Sequence, residues 1–395
     1  MSKHFDTALK FAKDTVAGKR SANVEQKQAS QRFLNDLKRT DEFDLRMDQA
    51  DFVINLIHTT IVHQQGEDLN GNPLPGTPFI LQPWEIFCVV NILLFFHKGT
   101  NLRRFHEALI LIPRKNGKTA FSAAFGWALS ILESGSGSKL YILANSLKQT
   151  MESFSFLQYN IDKFNDKSFK VRNNNAEHSI SRKVGDGSIY IQALASDEKR
   201  LDSLNANLLI LDELHTFRSS KKYILMKNAQ KAYRNKLLIG ISTAGDVPNG
   251  FLAQRLKYVQ RILDRTIKAD DYFVFVAKAD QDEKGDVPDF TNPDVLAAAN
   301  PSVGVSVSID DLVEDALLAQ NDPQTRLEFF NKTLNVFTAS SNAYFDLNEF
   351  RASDDSYDWS LDDLRKMDIE WYGGADLSKL HDLTAAALYG RYGDV

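Results

Sequence analysis

Apolar positions divide the chain into stretches of different period. Over the first 65 residues they recur among charged residues, at Leu34, Leu37, Phe43 and Leu45 and then through "FVINLIHTTIVH" (52–63), which predicts small amphipathic helices. "EDLNGNPLPGTPF" (67–79) is dense in Gly, Pro and Asn and reads as the loop that ends this helical arm. "IFCVVNILLFF" (86–96) is broken by Asn91 and too short for a bilayer core of about 30 Å, so it predicts a buried helix. From there short apolar runs alternate with longer helical patterns. The runs are "EALILIP" (107–113), "KLYILAN" (139–145), "SIYIQAL" (188–194), "NLLILDE" (207–213), "KLLIGIST" (236–243) and "YFVFVAK" (272–278), with helices predicted over 118–133 and up to 160. Strands that are apolar throughout are buried on both faces, and the helices between them are the crossovers that parallel neighbours require. The pattern predicts a doubly wound, mostly parallel α/β sheet.

Past residue 280 the chain turns acidic and loop-like ("DQDEKGDVPDFTNPD"), then helical over 309–335. "SSNAYFDLNEFRASDDSYDW" (340–359) has few apolar residues and reads as a linker, and "WYGGADLS" and "LTAAALYGRY" predict a final strand pair. The expected division is a helical arm (1–79), an α/β domain with a helical C-terminal part (80–339), a linker (340–367) and the start of a further domain (368–395).

Composition narrows the classes of function. A single cysteine, Cys88, excludes an internal disulfide framework and suits a reducing compartment. The N-terminus lacks the apolar core of a secretory signal, so export by that route is not expected. A net charge of -5 means that contact with nucleic acid would use local basic patches, such as "KKYILMKNAQKAYRNK" (221–236).

Candidate chemistry lies at the ends of the predicted strands. "PRKNGKT" (113–119) follows one strand and opens a helix. Such a turn aims backbone N–H groups at phosphate oxygens. Gly117 supplies conformational freedom, Lys118 reaches the β and γ groups, and Thr119 holds a metal. The opening glycine usual in this loop is absent, since position 112 is Ile. Asp212 ends the run "NLLILD", where a carboxylate can hold Mg²⁺, and Glu213 beside it can polarise an attacking water. "GISTAG" (240–245) ends a third strand, and Ser242 and Thr243 there could sense the γ-phosphate. A tight turn after a buried strand explains the same residues equally well.

Together these residues resemble the large terminase subunit of tailed bacteriophages, an ATP-driven motor and nuclease that packages DNA. "LQPWE" (81–85) is similar to the family's adenine-side motif, which implies Gln82 and Trp84 at the nucleotide. "PRKNGKT" resembles its variant Walker A, which commonly lacks the first glycine; Arg114, Lys115, Asn116, Gly117, Lys118 and Thr119 would then surround the phosphates. "LILDELH" resembles its Walker B with catalytic glutamate, "STAG" its coupling motif, and "NPS" (300–302) and "LN" (334–335) its pattern between ATPase and nuclease. "GGADLSKLHDLTA" (373–385) is similar to the opening hairpin of its RNase H-like nuclease, which implies Asp376 and Asp382 as ligands of Mg²⁺ or Mn²⁺. The family's remaining acids lie downstream of residue 395, so this polypeptide is not expected to cut DNA alone unless another chain supplies them. The resemblance further implies ATP and Mg²⁺ as cofactors. It implies double-stranded DNA, the portal protein of the prohead and a small terminase subunit as partners, a homo-oligomeric ring during packaging with a monomer in solution, and work in the cytoplasm of an infected bacterium. An arginine finger is expected from Arg200, with Arg114 as the alternative within one subunit. The rival readings are a helicase or translocase with the same core, a nucleotide-gated binding protein without turnover, and a plain nuclease.

Overall fold

The structure is a computed structural model that describes residues 2–195, 201, 204–247, 250–337, 359–376 and 385–392. It divides into two compact units, Met1–Ser341 and Asn342–Val395.

In the first unit the amphipathic N-terminal pattern forms α1 (Lys3–Val16), α2 (Val24–Asp36) and α3 (Met47–Thr60). Ser2 and Asn23 cap the first two, their side chains accepting from otherwise orphaned backbone N–H groups. The apolar window expected as one helix divides instead. Helix α4 (Pro83–Leu94) stops at Leu94, and Phe95–His97 becomes a strand, β2, antiparallel to β1 (Phe43–Leu45). The backbone explains the break: Leu94 O accepts from Arg46 N at 2.8 Å and Phe95 O from Arg104 N at 2.9 Å, so partners outside the helix replace the helical ones.

The central sheet contains β3 (Glu107–Leu111), β4 (Ser138–Ala144), β5 (Lys170–Asn173), β6 (His178–Val184), β7 (Gly187–Ala195), β8 (Leu208–Asp212), β9 (Leu237–Ser242) and β10 (Tyr272–Val276). Their spatial order is β10-β3-β9-β8-β4-β7-β6-β5. Every pairing from β10 to β7 is parallel, whereas β6 and β5 add antiparallel strands at one edge. Alternate residues feed two cores, as the pleat requires. Ala108, Ile110, Leu208, Ile210, Ile239 and Phe275 pack against α1 to α4, α5 (Lys118–Leu132) and α6 (Leu147–Phe164). Leu109, Leu111, Leu209, Leu211, Leu238 and Val274 pack against α7 (Lys221–Ala229) and α8 (Phe251–Leu263). Burial on both faces is why these strands carry no polar alternation. A third, smaller core joins α9 (Pro293–Ala299), α10 (Ile309–Asn321) and α11 (Pro323–Lys332).

The second unit holds the short helix α12 (Leu361–Leu364) and the antiparallel pair β11 (Glu370–Asp376) and β12 (Ala385–Arg391), in the register Asp376 opposite Ala385. Most of the expected linker, 340–367, lies outside the described residues.

Candidate functional site

The order of the sheet sets the site. Strand β9 separates β3 from β8, so the turn after β3, the acids ending β8 and the hydroxyls ending β9 converge at the C-terminal edge of three adjacent parallel strands. After Ile112, whose N–H donates to Ser242 O at 3.1 Å, the chain turns through Pro113 to Gly117 into α5. Lys115 and Gly117 adopt positive φ (66° and 80°) while Arg114 and Asn116 do not. That alternation of hand turns successive N–H groups into one concavity, the geometry of an anion nest. A glycine at 117 makes the second left-handed residue inexpensive. Arg114 and Lys115 are exposed, and Lys118 and Thr119 half-buried, at the mouth of the turn.

The back of the turn is held by residues far away in sequence. Asn116 is fully buried; its Nδ2 donates to Asn300 Oδ1 at 2.8 Å and to Arg114 O at 3.1 Å, and its Oδ1 accepts from Ser302 N at 3.0 Å. Ser302 Oγ accepts from Trp84 Nε1 at 3.1 Å, and Arg114 N donates to Lys332 O at 3.0 Å. One expectation is corrected here and a second is sharpened. Trp84 is 1% exposed, stacked on Phe275 and edge-on to Phe121, so its ring belongs to the core and is not offered to a base. The Asn116 side chain braces the turn from behind, leaving only its backbone to face a phosphate. "NPS" is the other half of that brace, which the sequence pattern flagged without revealing why.

Two acids and a base meet in front. Lys118 Nζ lies 2.5 Å from Glu213 Oε1. Glu213 takes a left-handed conformation (φ 53°), and its N–H donates to Asp212 Oδ1 at 2.8 Å. Its Oε2 lies 3.1 Å from His215 Nδ1. Burial acts against the Glu213 carboxylate, yet the contacts with His215 and Lys118 prevail and hold it well below the usual carboxylate range. Asp212 is pushed the other way, by its own burial first and then by the adjacent Glu213 charge. A buried carboxylate under that penalty suits a divalent cation, which would offset both causes. Ser242 and Thr243 are buried rather than exposed to a ligand. Ser242 Oγ accepts from His215 N at 3.2 Å. The segment after it is tied down by Asn335 Oδ1, 2.6 Å from Ala244 N, and by Asn331 Nδ2, 2.6 Å from Gly245 O.

Gln82 is the half-buried N-cap of α4, and its N–H donates to Glu85 Oε2 at 2.7 Å. Glu85 is itself buried beside the turn, its Oε1 4.0 Å from where a Cβ on Gly117 would sit. No sequence pattern assigns a role to Glu85, Asn331 or His215. His215 carried a signal, since it directly extends "LDEL". Arg200 and Asp382 lie outside the described residues, and Asp376 closes β11 with its side chain outside them. Among the described residues no group of three or more His, Cys, Asp or Glu could hold a metal ion, and no helix is long and apolar enough to cross a membrane.

A parallel sheet with a phosphate-type turn on one strand, a buried Asp and a half-buried Glu two strands away and an intervening strand between them defines the additional-strand class of P-loop ATPases. Family models narrow the class: the terminase large subunit ATPase domain matches residues 83–261 and the terminase large subunit endonuclease domain residues 266–394. The chain belongs to the terminase large subunit family. Among curated relatives it is 29% identical over 154 residues to Protein YmfN of Escherichia coli K12, covering 39% of this chain and 33% of that one. It is 25% identical over 327 residues to the large terminase subunit of Enterobacteria phage HK97, covering 81% of this chain and 59% of the phage protein. The crystal structure of the HK97 large terminase shares the fold with a TM-score of 0.58 at 21% identity, covering 89% of this chain and 66% of that one. The chain thus spans about a third and about three fifths of the lengths of these two curated relatives. The division between the two family models does not follow the sheet, because β10 lies beyond residue 266 yet pairs with β3.

Proposed function

We propose that the chain is the motor part of a large terminase, hydrolysing ATP to drive double-stranded DNA into a prohead. The observation that carries this reading is the 2.5 Å approach of Lys118 Nζ to Glu213 Oε1 at the mouth of the phosphate-type turn. An ammonium held this close to a half-buried carboxylate is a ready exchange site: a triphosphate competes for Lys118 and releases Glu213 to orient water. In this reading the backbone N–H groups of 115–117 cradle the phosphates, with Arg114 and Lys115 adding side-chain charge and Gln82 contacting the base. Thr119 and Asp212 hold Mg²⁺, which when bound screens the charge on the transferring phosphate. Ser242 and Thr243 register loss of the γ-phosphate through the strand they end. Arg200 from a neighbouring subunit is the arginine finger, with Arg114 as the alternative in cis.

The working boundaries are the helical arm to 79, the ATPase to 339, a linker to 367 and the nuclease hairpin beyond. Asp376 and Asp382 would hold Mg²⁺ or Mn²⁺ in the nuclease hairpin. Portal protein, small terminase subunit and further copies of the chain in a ring are the partners, in the cytoplasm of an infected bacterium.

The test is ATP turnover by the purified chain with and without duplex DNA. Lys118→Ala is expected to weaken nucleotide binding. Glu213→Gln is expected to bind nucleotide normally while losing about 100-fold or more in kcat, the scale of a positioned general base. Undiminished turnover in either variant would discard the assignment.

A further inference from the structure

Glu213 is gripped from both sides. Lys118 Nζ holds Oε1 at 2.5 Å, and His215 Nδ1 stands 3.1 Å from Oε2. A phosphate bound in the turn competes with the carboxylate for the lysine's charge and position. When it turns to a phosphate, the contact left to Glu213 is the one with His215.

Hydrogen-bond inventory fixes the proton on that ring. The Ser242 hydroxyl gives its single hydrogen to Thr243 O at 2.8 Å, so it can only accept from His215, whose N and Nδ1 both lie 3.2 Å from Ser242 Oγ. An ionised Glu213 also only accepts. The serine acceptor facing Nδ1 places the hydrogen on that nitrogen, directed to Ser242 Oγ, while Glu213 Oε2 stands 3.1 Å from the same nitrogen without a hydrogen-bond partner.

The ring is also locked in place. A Cβ added to Gly245 would fall 2.8 Å from His215 Cβ, so the absence of a side chain there is what lets the two segments touch. From that contact the backbone runs to Asn335 and Asn331, each 2.6 Å from the 242–245 segment. Glu213 itself sits at φ 53°, a conformation that costs a non-glycine residue energy and persists where surrounding contacts over-determine it.

We propose that His215 is a positioning residue that keeps Glu213 aimed once Lys118 engages phosphate, and that transmits the position of this carboxylate to residues 242–245 and from there to 331–335. The inference deepens the ATPase reading and rests on it. The His215 ring stands between the two, hydrogen-bonded to Ser242 Oγ through Nδ1 and 3.1 Å from Glu213 Oε2, so a carboxylate that swings onto Nδ1 takes its hydrogen from the serine.

The experiment compares ATP turnover and ATP affinity for the full chain and for His215→Phe, His215→Asn, Ser242→Ala and the His215→Phe/Ser242→Ala double variant. Phenylalanine keeps the volume and removes the donor; asparagine puts an N–H close to where Nδ1 stood. His215→Phe is expected to lower kcat roughly 10- to 100-fold with ATP affinity changed by less than about twofold, the split that marks an interaction used beyond ground-state binding. His215→Asn is expected to recover most of the loss, and the double variant to fall short of the product of the two single effects. Wild-type turnover in His215→Phe, an Asn variant as impaired as the Phe variant, or parallel loss of kcat and affinity would each overturn the proposal. A wild-type chain that does not hydrolyse ATP sinks the ATPase reading and takes this inference with it, and the wild-type rate tells the two failures apart.

Discussion

At the scale of single residues, Glu85 makes the clearest thermodynamic statement. It is a fully buried carboxyl beside the phosphate-type turn, and burial raises its pKa to about 8 against a backbone hydrogen bond from Gln82 that opposes the rise. A neutral acid in that place adds no negative charge next to an anion site. The folded state therefore holds a proton that the unfolded chain releases near pH 4.5, so stability is fully present below that pH and declines as pH rises toward 8. Glu85→Gln keeps the acceptor for Gln82 N and removes the titration. Urea midpoints from pH 5 to 9 should converge for the two proteins at the acid end, with the variant more stable at the alkaline end by up to about 5 kcal/mol. Parallel midpoint curves would show that Glu85 is charged throughout. Residues such as Lys118, Asp212 and Glu213 were legible in the sequence because each directly follows an apolar run that fixes where the strand ends. The bracing side chain of Asn116 and the core position of Trp84 are hidden in the sequence because their partners lie 184 and 218 residues away, a distance no local pattern spans.

At the scale of elements, the strands buried on both faces announced themselves, since a continuous apolar run leaves little alternative. Strands β5 and β6 did not: "KVRN" and "HSISRKV" are polar and half-exposed, and antiparallel pairing at a sheet edge asks little of the side chains. The end of α4 was equally hidden, because Phe95 and Phe96 are as apolar as the helix before them and only the pairing with β1 makes them a strand. The brace behind the phosphate-type turn is the element-level counterpart of the site chemistry. Removing Asn116 leaves Ser302 N and Asn300 Oδ1 buried without that partner, at ~1 to 3 kcal/mol for each group that finds no substitute. Asn116→Ala should accordingly lower the urea midpoint and weaken nucleotide binding together. Lys115→Ala, at an exposed position of the same turn, should shift the midpoint by less than about 0.5 kcal/mol in equivalent stability. Equal midpoints for the two variants would mean that the turn holds its shape without the brace.

At the scale of the first compact unit, the helical arm is not an appendage to the sheet. Phe5, Phe11 and Phe33 share one core with Phe87 and Phe275, and Arg32 NH1 donates to Tyr272 O at 2.8 Å on β10, the edge strand of the sheet. Capping an edge this way removes a site of unwanted strand pairing. The clasp is ionic as well. Arg104, fully buried, reaches Asp36 of α2 at 2.7 Å and Asp270 at 3.0 Å, while Arg39 of the arm takes Asp270 at 2.8 Å. Hydrogen bonding from Arg39 first, then the charges of Arg104 and Arg39, hold the Asp270 carboxyl well below the usual carboxylate range despite partial burial. An acid depressed in this way contributes stability above its unfolded pKa, about 3.9, and loses the contribution as pH falls through the folded value. Asp270→Asn should therefore unfold at lower urea than the wild-type chain at pH 7, and the gap should narrow as pH falls from 4 toward 2, where the unfolded wild-type chain takes up the proton that the folded carboxylate still refuses. Other carboxylates titrate over the same range in both proteins, so the difference between their midpoints isolates Asp270. A gap that stays constant on acidification would mean that asparagine hurts by shape alone and that the arm is held by its phenylalanines without the clasp.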